Sequence, residues 1–296
     1  MSAAVDLCVL VYDVGGSHVS AALCFKEGFR LAPVVRANLP TEETSDAFLE
    51  MLHSLGAKTA AGVKGVKGAE LAMPGPFDYA NGISWMKHKM PYLYGVNVSE
   101  ALAGRFGWQA SQVRFLNDAA AYLLGEVGAG AAKGVARVVC FTLGTGVGSG
   151  FAVDGHVVIE GNGVPPGGQI WNVPYEGGIV EDQISTRALQ RAYKERKGQE
   201  REVASIAHYA TGGEPASIAV FAEFGKNLGV ALRRLLADFD PDVVVLGGGI
   251  SRSAHLFLPA AKAELKGARF ELRIAELGDN APLAGAGVAW FAAAGA

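Results

Sequence analysis

The chain has 296 residues, half of them hydrophobic, and sets 26 Lys and Arg against 29 Asp and Glu for a net charge of −3. A chain of this length buries a full core and is expected to form about two domains. The near balance of charge, with no long run of one sign, argues against a nucleic-acid or membrane-surface tail, and no stretch is long and apolar enough to cross a bilayer.

The opening run MSAAVDLCVLVYD has no basic n-region and carries Asp6 within its short apolar part, so it reads as a first buried strand rather than a signal peptide. Period-2 runs rich in Val and Leu near 5–12, 19–25 and 30–37, joined by turns at VGGS and KEGF, predict an antiparallel meander. TSDAFLEMLHSLGAK predicts a helix with Thr44 or Ser45 as N-cap and Phe48, Leu49, Leu52 and Leu55 on one face. A strand at AELAMPG, a turn-rich stretch through Tyr94, a helix near 98–107, the strand VRFLND and a helix from Ala119 to about Val127 follow.

At Val135 the opening pattern returns as strand ARVVCFTL, the glycine-rich GTGVGSG, and strands FAVDG and HVVIE. The two copies predict topologically related halves facing each other. After an irregular segment over 161–182 the rest is mostly helical, with ASIAVFAEFGKNLGVALRRLLADFD the longest helix. A strand DVVVLGGG, a helix after Ser251, a strand near 270–276 and a closing helix LAGAGVAWFAAA complete the chain. The expected architecture is α/β in two lobes, a smaller one over 1–117 and a larger one over 118–296, with the closing helix 282–296 a candidate to pack on the first. Cys8, Cys24 and Cys140 all lie in strand-like apolar runs without zinc or disulfide spacing and read as buried thiols in a reducing cytoplasm.

The turn after Asp13 holds Gly15, Gly16 and Ser17. Two adjacent glycines make a plain hairpin turn, or a cradle whose backbone N–H groups converge on a phosphate. Three features favour the cradle. Asp13 at the strand end suits a magnesium ion or its water shell, Ser17 offers a hydroxyl, and the second half repeats the device with Gly144, Thr145 and Gly146. A third cluster, Gly247, Gly248 and Gly249, follows a strand and precedes the helix opened by Ser251, where a nucleotide or a plain strand-helix turn fits equally. No P-loop or dinucleotide fingerprint occurs. Asn117 and Asp118 stand where a strand meets a helix, so Asp118 is either an N-cap or, beside phosphate cradles, the carboxylate that takes a hydroxyl proton in phosphoryl transfer.

DVGGS at 13–17, MPGPFD at 73–78, LNDAAAYLLGE at 116–126, FTLGTGVGSGFAVDG at 141–155 and FDPDVVVLGGGIS at 239–251 resemble, in order, the motifs of the ROK family of repressors, open reading frames and kinases, close to bacterial glucokinases. The resemblance covers nearly the whole chain. It implies a duplicated actin-like, ribonuclease H-like sugar kinase fold with a cleft between two lobes, holding ATP and magnesium. It further implies Asp118 as the base, Asn117 and Gly75 at the sugar, Gly248 and Gly249 at the nucleotide, and a homodimer. Only twelve residues precede Asp13, so the DNA-binding members are not expected to be the match.

The sequence departs from the family pattern between Gly167 and Ser185, GGQIWNVPYEGGIVEDQIS. Glucokinase-like members carry there a G-E-x-G-H stretch, a cysteine cluster and a glutamate, which hold sugar hydroxyls and a structural zinc. Alignment puts Gln169 at the first Glu, Asn172 at the His and Glu181 at the last Glu. All four zinc ligands are absent together, which implies a zinc-free branch in which packing by Trp171, Pro174 and Tyr175 is the expected replacement, unless these are ordinary core. The expectation is an active kinase for a primary sugar hydroxyl whose sugar is not glucose bound in the usual way. A non-catalytic sugar sensor and an N-acetylmannosamine-type kinase are the alternatives.

Overall fold

The computed structural model describes residues 7–293; the starting residues of the expected first strand and the end of the expected closing helix fall in the six and three terminal residues outside the described residues. The chain divides into two units. One takes the residues up to Ala129 and from Asn280 onward; the other is Gly130–Asp279.

The first unit opens with β1 (Cys8–Val14), buried at every position except Asp13, where burial is partial. β2 (His18–Phe25), β3 (Val35–Asn38), α1 (Ser45–Thr59), β4 (Val66–Met73), the short hairpin β5 (Phe77–Asp78) and β6 (Ile83–Ser84), α2 (Val98–Phe106), β7 (Val113–Asn117) and α3 (Asp118–Ala129) follow. Strand order is β3-β2-β1-β4-β7, with β1, β2 and β3 antiparallel and β1, β4 and β7 parallel. Period-2 alternation sends Leu10 and Tyr12 to one face against Phe48 and Leu52 of α1, and Val9 and Val11 to the other, against Leu283, Ala286 and Trp290 of the C-terminal helix Ala281–Ala293. Thr44 caps α1, its hydroxyl accepting from the Ala47 N–H at 3.2 Å, and Phe48, Leu49, Leu52 and Leu55 are buried as their spacing predicts.

The division falls after Ala129, not at the expected 117/118, and the units are nearly equal in length. The physical reason is α3, whose Gly125 and Ala121 lie directly against Ala281 and Gly285 of the C-terminal helix, so both helices belong to the first unit.

A buried acid on β4 ties this unit together. Glu70, in mid-β4 and 2 % exposed, has its Oε2 3.2 Å from Arg114 Nε on β7. Arg114 also donates to the Ala289 carbonyl and lies over the Trp290 ring, so the pair joins two strands to the C-terminal helix. Burial pushes the Glu70 carboxyl up to about 7, against the pull of Arg114. A carboxyl raised in the folded state binds its proton more tightly there than when unfolded. It therefore subtracts stability as pH rises from about 4.5 to about 7, and the loss is complete above that. Glu70→Gln removes the titration. The stability of the variant relative to wild type should rise by about 3 kcal/mol between pH 4.5 and pH 8 in urea unfolding, and stay level above pH 8.

The second unit repeats the plan. β8 (Arg137–Leu143), β9 (Val147–Val153), β10 (His156–Val158), the hairpin β11 (Pro174–Tyr175) and β12 (Gly178–Ile179), α4 (Val180–Gln183), α5 (Thr186–Lys197), α6 (Val203–Thr211), α7 (Pro215–Leu235), β13 (Val243–Gly247), α8 (Ala254–Glu264) and β14 (Glu271–Ile274) run in chain order. The sheet is ordered β10-β9-β8-β13-β14, with an antiparallel meander on one side and two parallel strands on the other. Phe141, Phe151, Phe221, Leu228, Leu246 and Phe257 fill its core. β9 starts at Val147, so most of the glycine-rich run is strand and only Gly144, Thr145 and Gly146 form the turn. The three cysteines are buried and form no disulfide among the described residues. No helix among the described residues is long and apolar enough to cross a membrane.

Candidate functional site

In the first unit the parallel register aligns the carboxyl ends of three strands. Asp13 pairs with Ala72, Ala72 with Leu116, and Met73 with Asn117, so Asp13, the Met73–Gly75 bend and Asn117–Asp118 share one sheet edge. Open α/β sheets bind ligands at this edge. Beside Asp13, the turn between β1 and β2 closes with the Gly15 N–H donating to the His18 carbonyl at 3.0 Å. A Cβ at Gly15 would sit 3.1 Å from that carbonyl, while Gly16 faces open space. The turn is thus a hairpin with one tight glycine and one accessible one. Ser17 Oγ lies 3.1 Å from His18 Nδ1 at the same exposed position.

Asn117, rather than Asp118, is the N-cap of α3. Its Oδ1 accepts from the Ala119 and Ala120 N–H groups at 3.0 and 3.2 Å. Its Nδ2 donates to the Tyr79 hydroxyl at 3.1 Å, and that hydroxyl donates in turn to the Met73 carbonyl at 3.1 Å. The clamp fixes the strand end from both sides. Asp118, one residue on, is half-buried and accepts from the Ala119 N–H at 2.9 Å. Burial raises its carboxyl above the ordinary Asp value, opposed by the Ala119 N–H and by the charge of Lys89. Tyr79 was not singled out by sequence, although it directly follows MPGPFD. Burial pushes its hydroxyl up to about 12, with Asn117 lowering and Asp118 raising it. Gly75, joined to Pro76 by a cis peptide, places its missing Cβ 3.4 Å from the Tyr79 hydroxyl. Gly75, Tyr79, Asn117 and Asp118 therefore form one cluster, and Lys89, exposed between the buried Met86 and Met90, acts electrostatically on it.

In the second unit the turn Gly144–Gly146 closes with the Gly144 N–H donating to the Gly146 carbonyl at 3.0 Å. The Gly144 carbonyl accepts from the Thr186 N–H at 2.8 Å, and the Val147 N–H donates to Glu181 Oε2 at 3.0 Å. Gly248 packs against the end of β8: with φ +82° it puts its missing Cβ 2.5 Å from the Leu143 carbonyl oxygen, a place closed to any side chain. Gly249 faces open space. The helix expected from Ser251 starts as a 3-10 turn, Gly249–Ser253, with the Ser251 hydroxyl donating to the Gly248 carbonyl at 2.7 Å, before α8 proper. Gly248 and Gly249 thus adjoin the Gly144 turn.

The departing segment is more ordered than its composition predicted. β11 and β12 form a hairpin whose two turn residues, Glu176 and Gly177, both have positive φ, the pattern of a tight two-residue loop. Tyr175 is buried with Ile170, Val180 and Ile184. Trp171, 40 % exposed, and Pro174 lie at the surface, so of the three residues expected to pack in place of a zinc only Tyr175 is in the core. Gln169 Oε1 accepts from Trp171 Nε1 at 3.1 Å, both side chains exposed, and Asn172 is exposed beside them. The Glu181 N–H donates to the Trp171 carbonyl at 3.0 Å, which brings Glu181 alongside this stretch. Among the described residues no group of three or more His, Cys, Asp or Glu side chains is placed to hold a metal ion.

Two mixed sheets of identical strand order and direction, each with a glycine turn between its two central antiparallel strands, define the duplicated actin-like fold of sugar kinases. The sequence model of the ROK family matches residues 9–293. The glucokinase of Thermotoga maritima is 28% identical over 272 residues, covering 82% of each chain. The N-acetyl-D-glucosamine kinase of Yersinia enterocolitica is 27% identical over 272 residues, covering 83% of this chain and 85% of the relative. The crystal structure of the ROK hexokinase from Thermus thermophilus superposes with a TM-score of 0.81 at 26% identity, covering 98% of this chain and all of the other. The chain belongs to the ROK family.

Proposed function

We propose that this ROK-family carbohydrate kinase transfers the γ-phosphoryl group of ATP to a primary hydroxyl of a hexose or hexose derivative, with Asp118 accepting the hydroxyl proton. The observation that carries the reading is the half-buried Asp118, held by an N–H at the carboxyl edge of a parallel sheet with Asn117 and Tyr79 fixed beside it. Phosphoryl transfer asks for positioning, charge neutralisation and one carboxylate within reach of the alcohol. The first unit supplies that carboxylate, Asn117 and Gly75 for the sugar, and Gly15, Gly16 and Ser17 for a phosphate. The second supplies the turn Gly144, Thr145 and Gly146 with Gly248 and Gly249 for the nucleotide, and Gln169 and Asn172 for sugar hydroxyls.

Magnesium enters with the nucleotide. The donor set fits an ion that keeps most of its ligands as phosphate oxygens and water, because Asp13 offers one half-buried carboxylate and no cluster of three acids accompanies it among the described residues. When bound, the ion neutralises phosphate charge; Asp13 holds it or its water shell at the end of β1. We read the assembly as a homodimer, to be checked by sedimentation.

Gln169 sets the sugar. A neutral amide forms a weaker hydrogen bond to a hydroxyl than a carboxylate does, by about 1 to 2 kcal/mol. Gln169→Glu is therefore expected to lower the KM for glucose by about tenfold with little change in kcat. Measured ADP release over hexoses and N-acetylhexosamines tests the whole reading: turnover of at least one, dependent on magnesium, is expected. Sugar binding by calorimetry with no magnesium-dependent ATP binding would favour a sensor of the same fold, a reading that draws on the neutral Gln169 and Asn172.

A further inference from the structure

We infer that the acceptor of this kinase carries an acidic group, a carboxylate or a phosphate ester, and that Lys89 receives it beside the cluster of Gly75, Tyr79, Asn117 and Asp118. The inference rests on the kinase reading above and names the class of its sugar. Residues 84–96 form a closed loop on the first unit. The Ser84 N–H donates to the Val96 carbonyl at 3.1 Å and the Gly95 N–H to the Ser84 carbonyl at 2.8 Å, which ties the ends together. The Trp85 N–H donates to the Pro76 carbonyl at 3.1 Å, so the loop hangs from the bend that carries Gly75. Met86, Met90 and Leu93 are buried in the core beneath it. Pinned at those three points, the loop leaves Trp85, Lys87, His88, Lys89 and Tyr94 exposed.

The charge of this loop is of one sign, for between Asp78 and Glu100 the sequence holds no acid. Lys87 is engaged, its Nζ 5.3 Å from the centre of the Tyr94 ring, which in turn meets Trp85 edge to face at 5.6 Å. His88 and Lys89 form no ion pair among the described residues. Yet Lys89 opposes the rise that burial gives the Asp118 carboxyl, so its ammonium acts on the acceptor side of the sheet edge. For a neutral sugar that ammonium is a liability: it makes Asp118 a weaker base and meets no opposite charge on the acceptor. An acidic acceptor turns it into a counterion, and a charge-assisted hydrogen bond is roughly twice as strong as a neutral one. In the transfer, the primary hydroxyl oxygen bonds to the γ-phosphorus as the bond from that phosphorus to the β,γ-bridging oxygen breaks. ADP leaves with that electron pair, and the hydroxyl proton passes to Asp118.

Initial rates of ADP release from magnesium ATP, with gluconate, glucose 1-phosphate and glucose as acceptors, decide the matter, because all three offer a primary hydroxyl and only the first two an acid. In the wild-type chain kcat/KM for at least one of the two acids should exceed that for glucose by about tenfold or more, and which of them does so tells a carboxylate from a phosphate. Lys89→Met should cut this preference by about tenfold, chiefly through the KM of the acid, while Lys89→Arg, which keeps the charge, should retain most of it. The KM for ATP should stay within about twofold of wild type in both variants. Wild-type protein that prefers neither acid to glucose, or a preference unmoved by Lys89→Met, overturns the inference and leaves the kinase reading standing. A rise in the KM for ATP larger than that for the acid would assign Lys89 to the phosphoryl donor and overturns it too. No turnover of any hexose, N-acetylhexosamine or either acid would instead overturn the kinase reading, and the inference with it.

Discussion

Asp118→Asn is expected to lower kcat by about 10² to 10⁴ while leaving sugar affinity and the folded structure nearly unchanged. The asparagine keeps the volume and an oxygen for the Ala119 N–H that Asp118 Oδ1 now accepts at 2.9 Å, so α3 loses little at its start. Its cap is Asn117, which the substitution does not touch. What disappears is the group able to take a proton. On the role proposed for it, the same carboxyl is expected to set a pH limb. Only its ionised form acts as a base, and burial raises its pKa above the ordinary Asp value of about 3.9, so activity should fall away on acidification at a pH above that value. Lys89 opposes the shift, and Lys89→Met should move the limb to still higher pH with kcat on the plateau little altered. A pH-rate profile of wild type and both variants reads all three statements. Turnover that survives Asp118→Asn would remove the residue from its role.

The residues that the sequence made legible are those whose signal is local. The meanders were visible because period-2 runs and glycine turns occupy consecutive positions, and their repetition at Val135 announced a second sheet of the same order. Thr44 and the apolar face of α1 followed from a cap and a 3.6-residue spacing. Asn117 and Asp118 were visible as a strand-helix junction, but not which of them caps, since either side chain suits that role and only Tyr79, thirty-eight residues away, selects Asn117. The grouping of α3 with the first unit was illegible for the same reason: its partner helix begins at Ala281. The hairpin at 174–179 was missed because two-residue strands carry no periodicity and Glu176 gives no warning of a positive φ. The alignment that puts Glu181 at a sugar ligand carries no sign of its bond to the Val147 N–H, which joins segments far apart in the chain.

Gly285→Ala is expected to destabilise the protein by about 3 kcal/mol, lowering Tm by roughly 10 °C, although the same substitution in most helices is stabilising. The C-terminal helix is buried at every position from Ala281 to Gly287, so around Gly285 it has no solvent side toward which to retreat. Its Gly285 meets α3 where a Cβ would lie 1.8 Å from the Ala121 carbonyl oxygen and 2.7 Å from the Gly125 amide nitrogen. The reciprocal Gly125 places its own missing Cβ 2.1 Å from the Ala281 carbonyl oxygen, and on another side a Cβ at Gly287 would lie 2.2 Å from Cys24 Sγ. A methyl group at 285 must push two backbones apart, and close-packed interiors resist that displacement. Gly104→Ala is the matched control. Gly104 lies in α2 with ordinary helical backbone and no atom within 4 Å of its missing Cβ, so alanine there should stabilise by about 0.5 to 1 kcal/mol. Opposite signs for one chemical change at two helical glycines would locate the cost in the helix contact rather than in the propensity of the residue. On the proposed role of Asp118 the contact also bears on catalysis, because the helix that Gly285 abuts begins with that residue. Separation of the two helices should therefore lower kcat in Gly285→Ala at temperatures well below its Tm, and Gly104→Ala should leave kcat unchanged.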